Sequence, residues 1–183
     1  MFQLYLSYFA AIFASPEISA LLAQISAIAL VPFSNSDLLW TVFPLITTII
    51  IVELYFGSHK EEQLGWNSAT ANGLVLLWVG ANTVKDVIAS GGFDLNLLTS
   101  QVAVAIVVVG ALLVFVSFFH ILPKEVAFFI SSGLVVHYLA YLGVIFVYTD
   151  MVFSSLTVYA AFLIFVALVI FFSLVKRLEP DLY

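Results

Sequence analysis

The chain alternates between long apolar runs and short polar breaks, and six of the runs approach the roughly 20 residues an α-helix needs to cross hydrocarbon. They lie at about 16–33, 37–56, 68–89, 97–121, 123–148 and 155–176. Membrane β-strands would instead alternate with period two over about ten residues. The pattern therefore predicts an all-α, polytopic membrane helix bundle of about six transmembrane helices with short loops, one transmembrane domain over residues 1–183. Residues 2–14 are apolar but too short to span. With Tyr5 and Tyr8 as interfacial side chains, they predict a helix lying on the membrane within 1–15.

Local chemistry punctuates the runs. Ser15-Pro16-Glu17 reads as N-cap, first helical position and a carboxylate at the positive end of the dipole. Ser34-Asn35-Ser36 predicts a tight turn, and Asp37 and Trp40 an interface. Gly57 reads as a C-cap glycine and Ser58 with Glu61 as a capping box, which predicts a short surface helix ended by Gly65. Trp66 marks the return to the interface, and Asn67 reads as the cap of the third span. Gly91-Gly92 ends that span and Asp94 caps the fourth. Leu122-Pro123 turns the chain into the fifth span, which Tyr148-Thr149-Asp150 closes. Ser154 or Ser155 opens the sixth, which ends at Lys176-Arg177.

Composition agrees. Of 183 residues, 64% are hydrophobic and 9% charged, and the mean hydropathy is +1.20; a soluble domain carries about 25% charged residues. Membrane lipid is the implied surrounding. Five Lys/Arg against eleven Asp/Glu give a net charge of -6, which argues against nucleic acid and against docking to anionic lipid, both of which need a basic face. Without cysteine there are no disulfides, thiolate metal sites or Cys nucleophiles. Met1-Phe2-Gln3-Leu4-Tyr5 lacks the cationic region of a cleaved signal peptide. With the 57–66 loop inside, Lys60, Lys124, Lys176 and Arg177 fall on the cytoplasmic side and Lys85 on the other. The expected topology in the cell membrane is thus N-in and C-in.

Every expected loop is about ten residues or fewer, so function must sit within the bilayer or at its edges. Ionisable groups at membrane depth are functional candidates. The deepest is His137, which shares a helical face with Gly133, Ala140 and Val144, a small-residue surface suited to close packing. It reads either as a relay or ligand-binding histidine, or as a neutral one hydrogen-bonded to Tyr141, Thr47 or Thr48. The third span carries the most polar side chains. A candidate polar path comprises Asn72, Asn82, Lys85, Asp86 and His137, with simple interhelical hydrogen bonding as the alternative. Glu53, His120 and Lys124 make a candidate edge cluster at the cytoplasmic side, read either as a gate or as snorkelling side chains that fix packing. No HExxH, Glu-x-x-His pair, Ser-His-Asp spacing, phosphate-cradling glycine loop, DxxD pair or haem ligand pair is present. The expectation is therefore no metal, no cofactor and no catalytic residue.

The block Glu53-Leu-Tyr-Phe-Gly-Ser-His-Lys-Glu-Glu-Gln-Leu-Gly-Trp-Asn67 resembles a segment of uncharacterised archaeal multi-spanning membrane proteins. Their pattern is similar to Glu-Leu-Tyr-Phe-Gly, a charged loop, then Leu-Gly-Trp-Asn. Ser58-His59 stands here in place of a more basic pair. The resemblance covers about a tenth of the chain; it implies an archaeal membrane origin and no particular activity. The leading expectation is a non-enzymatic structural or assembly component, a homo-oligomer or part of a larger membrane complex, with no nucleic acid partner. The alternative is a small transporter or channel using the third-span path. A lipid-modifying enzyme would require Glu53 and His120 to converge on a lipid-accessible cavity.

Overall fold

A computed structural model of the protein describes residues 15–62, 64–149 and 151–180. The helix expected over 2–14 and the interfacial role expected of Asp150 lie outside the described residues. Among them are seven helices and no strand: α1 Pro16–Ser34, α2 Ser36–Ser58, α3 Trp66–Ala89, α4 Leu98–Phe118, α5 Lys124–Ile130, α6 Gly133–Tyr148 and α7 Ser155–Leu178. Five stretches are long and apolar enough to span a membrane: α1, α2, α4, α5 with α6, and α7. The protein is an all-helical integral membrane bundle. α3, at 24 residues, is long enough, but Asn67, Thr70, Asn72, Asn82, Thr83, Lys85 and Asp86 keep it below the apolarity of the other five.

Helix ends follow cap chemistry. Ser15 accepts a hydrogen bond from the Ile18 amide, with Pro16 in the first turn. The turn expected at 34–36 shrinks to Asn35, whose side chain accepts from the amides of Asp37 and Leu38. α3 ends in a Schellman motif: the Gly91 amide donates to the Ile88 carbonyl and the Gly92 amide to that of Val87, with Gly91 at φ +72°. α4 ends three residues earlier than expected, in the same motif. There His120, at φ 54°, takes the position glycine usually holds.

Four local expectations are corrected. Gly57 lies inside α2 rather than capping it; a methyl group there would overlap the Glu179 carboxylate, so its role is close approach. Among the described residues of 58–65 no surface helix forms, because Ser58 is still part of α2 and too few residues remain before Gly65 for a stable turn. Asn67 is not the cap of α3, which begins at Trp66 with Gly65 in the cap position. Asp94 lies upstream of α4 rather than at its cap, where it accepts from the Asn96 amide at 2.9 Å.

The largest departure is in the fifth span, expected to be continuous over 123–148. It breaks at Ser131-Ser132 into α5 and α6, and Ser132 caps α6 by accepting from the Val135 amide. α6 is the axis of the bundle: 56% of the window across its span is buried, against 11% for α1 and α7. On one side of it α3 and α4 form an antiparallel hairpin. Ala69, Gly73, Leu76, Gly80 and Thr83 face Ala103, Ile106, Gly110, Leu113 and Ser117, all buried. This alternating three- and four-residue spacing is the seam of a left-handed pair. Glycines let the backbones meet: a β-carbon on Gly80 would lie 2.6 Å from the Val107 nitrogen. On the other side, α1, α2 and α7 pack together. Consecutive helices α2 and α3 share no extensive packing, and neither do α4 and α7. Two seams therefore separate the groups, both floored by α6. Large apolar side chains, such as Trp78 and Phe118, point outward, which lipid but not water accommodates.

Gly80→Val and Gly110→Val are expected to destabilise the protein by about 1–3 kcal/mol each through overpacking. Gly65→Ala, which meets no atom within 4 Å, is expected to be close to neutral. Unfolding in mixed micelles monitored by circular dichroism measures all three.

Candidate functional site

Polar side chains at membrane depth gather in three places. The first is the seam between α2 and α3, a cleft of about 920 Å³. Its shaft is apolar, with Pro44 and Leu45 of α2, Leu74 and Trp78 of α3 and Val144 of α6. Its outer end, where α3 and α6 finish, is polar: Thr41, Asn82, Thr83, Lys85, Asp86 and Tyr148. Adjacent helical residues diverge, yet the flexible Lys85 side chain turns back to place Nζ 3.5 Å from Asp86 Oδ1. The other Asp86 oxygen accepts a hydrogen bond from the Tyr148 hydroxyl. Three of the five expected path residues, Asn82, Lys85 and Asp86, thus line one cavity.

The second place is the α5–α6 break, where Asn72 and His137 lie. Asn72 Nδ2 donates to the Ser131 carbonyl at 2.8 Å, and Ser131 Oγ lies 3.3 Å from Ser117 Oγ of α4. Ser117 and Ser131 are fully buried. His137 is 1% exposed and faces protein. Its Nδ1 is 2.8 Å from the Gly133 carbonyl. A carbonyl only accepts, so Nδ1 carries the proton. The histidine's partner is thus the start of its own helix rather than Tyr141, Thr47 or Thr48; Tyr141 donates instead to the Ile28 carbonyl. Spacings of seven and eleven residues put His137, Val144 and Tyr148 on one stripe of α6, so His137 lies on the line that continues the cleft floor toward the break.

The third place is the end of the bundle where α2 and α7 finish. Glu53, buried, pairs with Lys176 Nζ at 2.6 Å. Lys60 Nζ donates to the Glu179 carbonyl at 3.0 Å. Glu179 Oε2 is buried without a hydrogen-bond partner and rests on Gly57. The expected grouping of Glu53 with His120 and Lys124 meets other contacts: Glu53 has taken Lys176, His120 stacks on Trp66 at 4.1 Å, and Lys124 Nζ lies 5.5 Å from the Phe128 ring. A buried carboxylate is held by the nearest cation that can reach it without leaving the interface, and α7 packs directly on α2.

Sequence reasoning missed Tyr148 as a cleft residue, Ser117 and Ser131 at the break, and Lys176 as the partner of Glu53. The Ser131-Ser132 pair inside an apolar run was the one available local sign, since serine favours caps. Among the described residues no group of three His, Cys, Asp or Glu is placed to hold a metal ion.

Asn72→Leu is expected to strand the Ser131 carbonyl and cost about 1–3 kcal/mol, with Ser117→Ala costing less. Lys176→Met leaves Glu53 buried without a cation. It is expected to destabilise the protein more than the double substitution Glu53→Gln with Lys176→Met, a reversal that thermal denaturation in detergent detects. Compared with known proteins, the chain matches no protein-family model, no curated protein and no solved structure.

Proposed function

We propose that this integral membrane protein is a small transporter whose α2–α3 cleft receives its cargo. The observation that carries the reading is the cleft itself: polar groups crowd one end of a partly open cavity that runs along the most polar helix. Two features support it. The cavity lies within the range of about 300–1,000 Å³ typical of ligand sites. Its floor helix, α6, begins at a break, and discontinuous helices in membranes are found where they line a cavity or are buried in protein. The Lys/Arg distribution favours placing Lys60, Lys124, Lys176 and Arg177 on the cytoplasmic side, which puts the polar end of the cleft at the opposite one.

The second reading is a structural or assembly component of a larger membrane complex. It is favoured by the closure of the α5–α6 break through its own hydrogen bonds, as in a rigid scaffold.

Flux of ions and small solutes into proteoliposomes, with transbilayer movement of labelled lipids, separates the two. The transport reading expects flux that falls at least tenfold in Lys85→Met, Asp86→Asn and Tyr148→Phe, with melting temperature unchanged. Absence of flux across a broad panel would favour the scaffold.

A further inference from the structure

We infer that the α2–α3 cleft is a lipid site, shaped for one acyl chain in the shaft and a zwitterionic headgroup at the Lys85–Asp86–Tyr148 rim. The inference rests on the cleft being the ligand site and narrows what enters it. The first observation is the order of its lining. Charged and hydrogen-bonding side chains occupy one end, and Leu74, Trp78, Leu45 and Val144 the rest. A water-soluble solute needs polar partners along its whole length, whereas an amphiphile needs them only at its head.

The second observation is length. Asp86 and Leu74 are twelve residues apart on α3, about 18 Å at 1.5 Å per residue. One leaflet contributes about half of a hydrocarbon core roughly 30 Å thick. The cleft therefore starts at an interface and follows one leaflet inward, as an acyl chain does.

The third observation is access. α2 and α3 share no extensive packing, so the seam between them faces sideways into the bilayer, and a lipid enters without leaving the membrane. Trp78 and Leu74 on its α3 wall are 71% and 50% exposed, an apolar approach that lipid wets.

Charge selects the headgroup. Lys85 and Asp86 present one cation and one anion 3.5 Å apart, with side chains 71% and 45% exposed. An exposed ion pair is worth little, so each member readily takes a ligand charge instead. Lys85 meets a phosphate. Asp86, held through one oxygen by Tyr148, meets an ammonium. An anionic headgroup satisfies Lys85 but is repelled by Asp86; a zwitterion satisfies both.

The test uses the full chain reconstituted in vesicles of equal phosphatidylethanolamine and phosphatidylglycerol, released in mild detergent and weighed by native mass spectrometry. One phosphatidylethanolamine per chain is expected, at least tenfold over phosphatidylglycerol. The double substitution Lys85→Met with Asp86→Asn, which preserves net charge, is expected to abolish the preference. Leu74→Trp, which narrows the shaft, is expected to reduce retention of both lipids. Phe162→Ala, on the outer face of α7, is expected to leave it unchanged. Equal retention of the two lipids, preference for phosphatidylglycerol, selectivity that survives the double substitution, or a second protein chain in place of lipid would each overturn the inference. Transbilayer movement of labelled lipid, measured with solute flux in the same vesicles, keeps the two ideas apart. Flux without lipid selectivity removes this inference alone, and lipid selectivity without flux of solute or lipid removes the transport reading alone.

Discussion

Inside hydrocarbon a backbone must satisfy its own hydrogen bonds, because no water is there to do so. An unbroken helix meets that constraint by itself. The fifth crossing does not: at Ser131-Ser132 it releases a carbonyl, and the amide of Asn72, on another helix, takes it up. The Ser117 and Ser131 hydroxyls meet at the same point. α3, α4 and the α5–α6 junction are thereby fixed to one another. The seam geometry follows from this, because α6 starts where Asn72 sets it and then floors both grooves.

The two faces of α6 are held by different physics. Toward α4, Gly143 of α6 lets the Ile106 side chain lie close against the helix, and α3 and α4 meet each other through backbone proximity at Gly73, Gly80 and Gly110, where dispersion between closely packed main chains replaces the hydrophobic drive that lipid removes. Toward α7, α6 reaches across a wider gap with long side chains: the Tyr138 hydroxyl donates to the Ala161 carbonyl at 2.7 Å and its ring packs on Phe165 at 5.5 Å. α1 joins α7 through Gln24 Nε2 and Thr157 Oγ1 at 3.2 Å. The interior is consequently tight on one side and bridged on the other, and an apolar groove of about 430 Å³ remains between α4 and α7.

What the sequence made legible was whatever depends on neighbours in the chain. Ser15, Asn35, Ser154 and Gly91 mark helix ends because capping needs only three or four consecutive residues. The polarity of the third span pointed to Asn82, Lys85 and Asp86, which do share a cavity. The rest depends on distant partners. The α5–α6 break lies in an apolar run and is sustained by a residue 59 positions away. Tyr148 reaches Asp86 across 62 positions. The capping-box pattern at Ser58 and Glu61 misled because the segment is tied elsewhere: Tyr55 donates to Glu62, and Lys60 to the end of α7.

The division into two groups that meet through α6 carries a mechanical consequence. Two bodies resting against opposite flanks of one rod cannot tilt together on one side without parting on the other. The polar cleft between α2 and α3 and the apolar groove between α4 and α7 are those two sides. Rocking of the two groups on α6 would therefore widen one seam as it narrows the other.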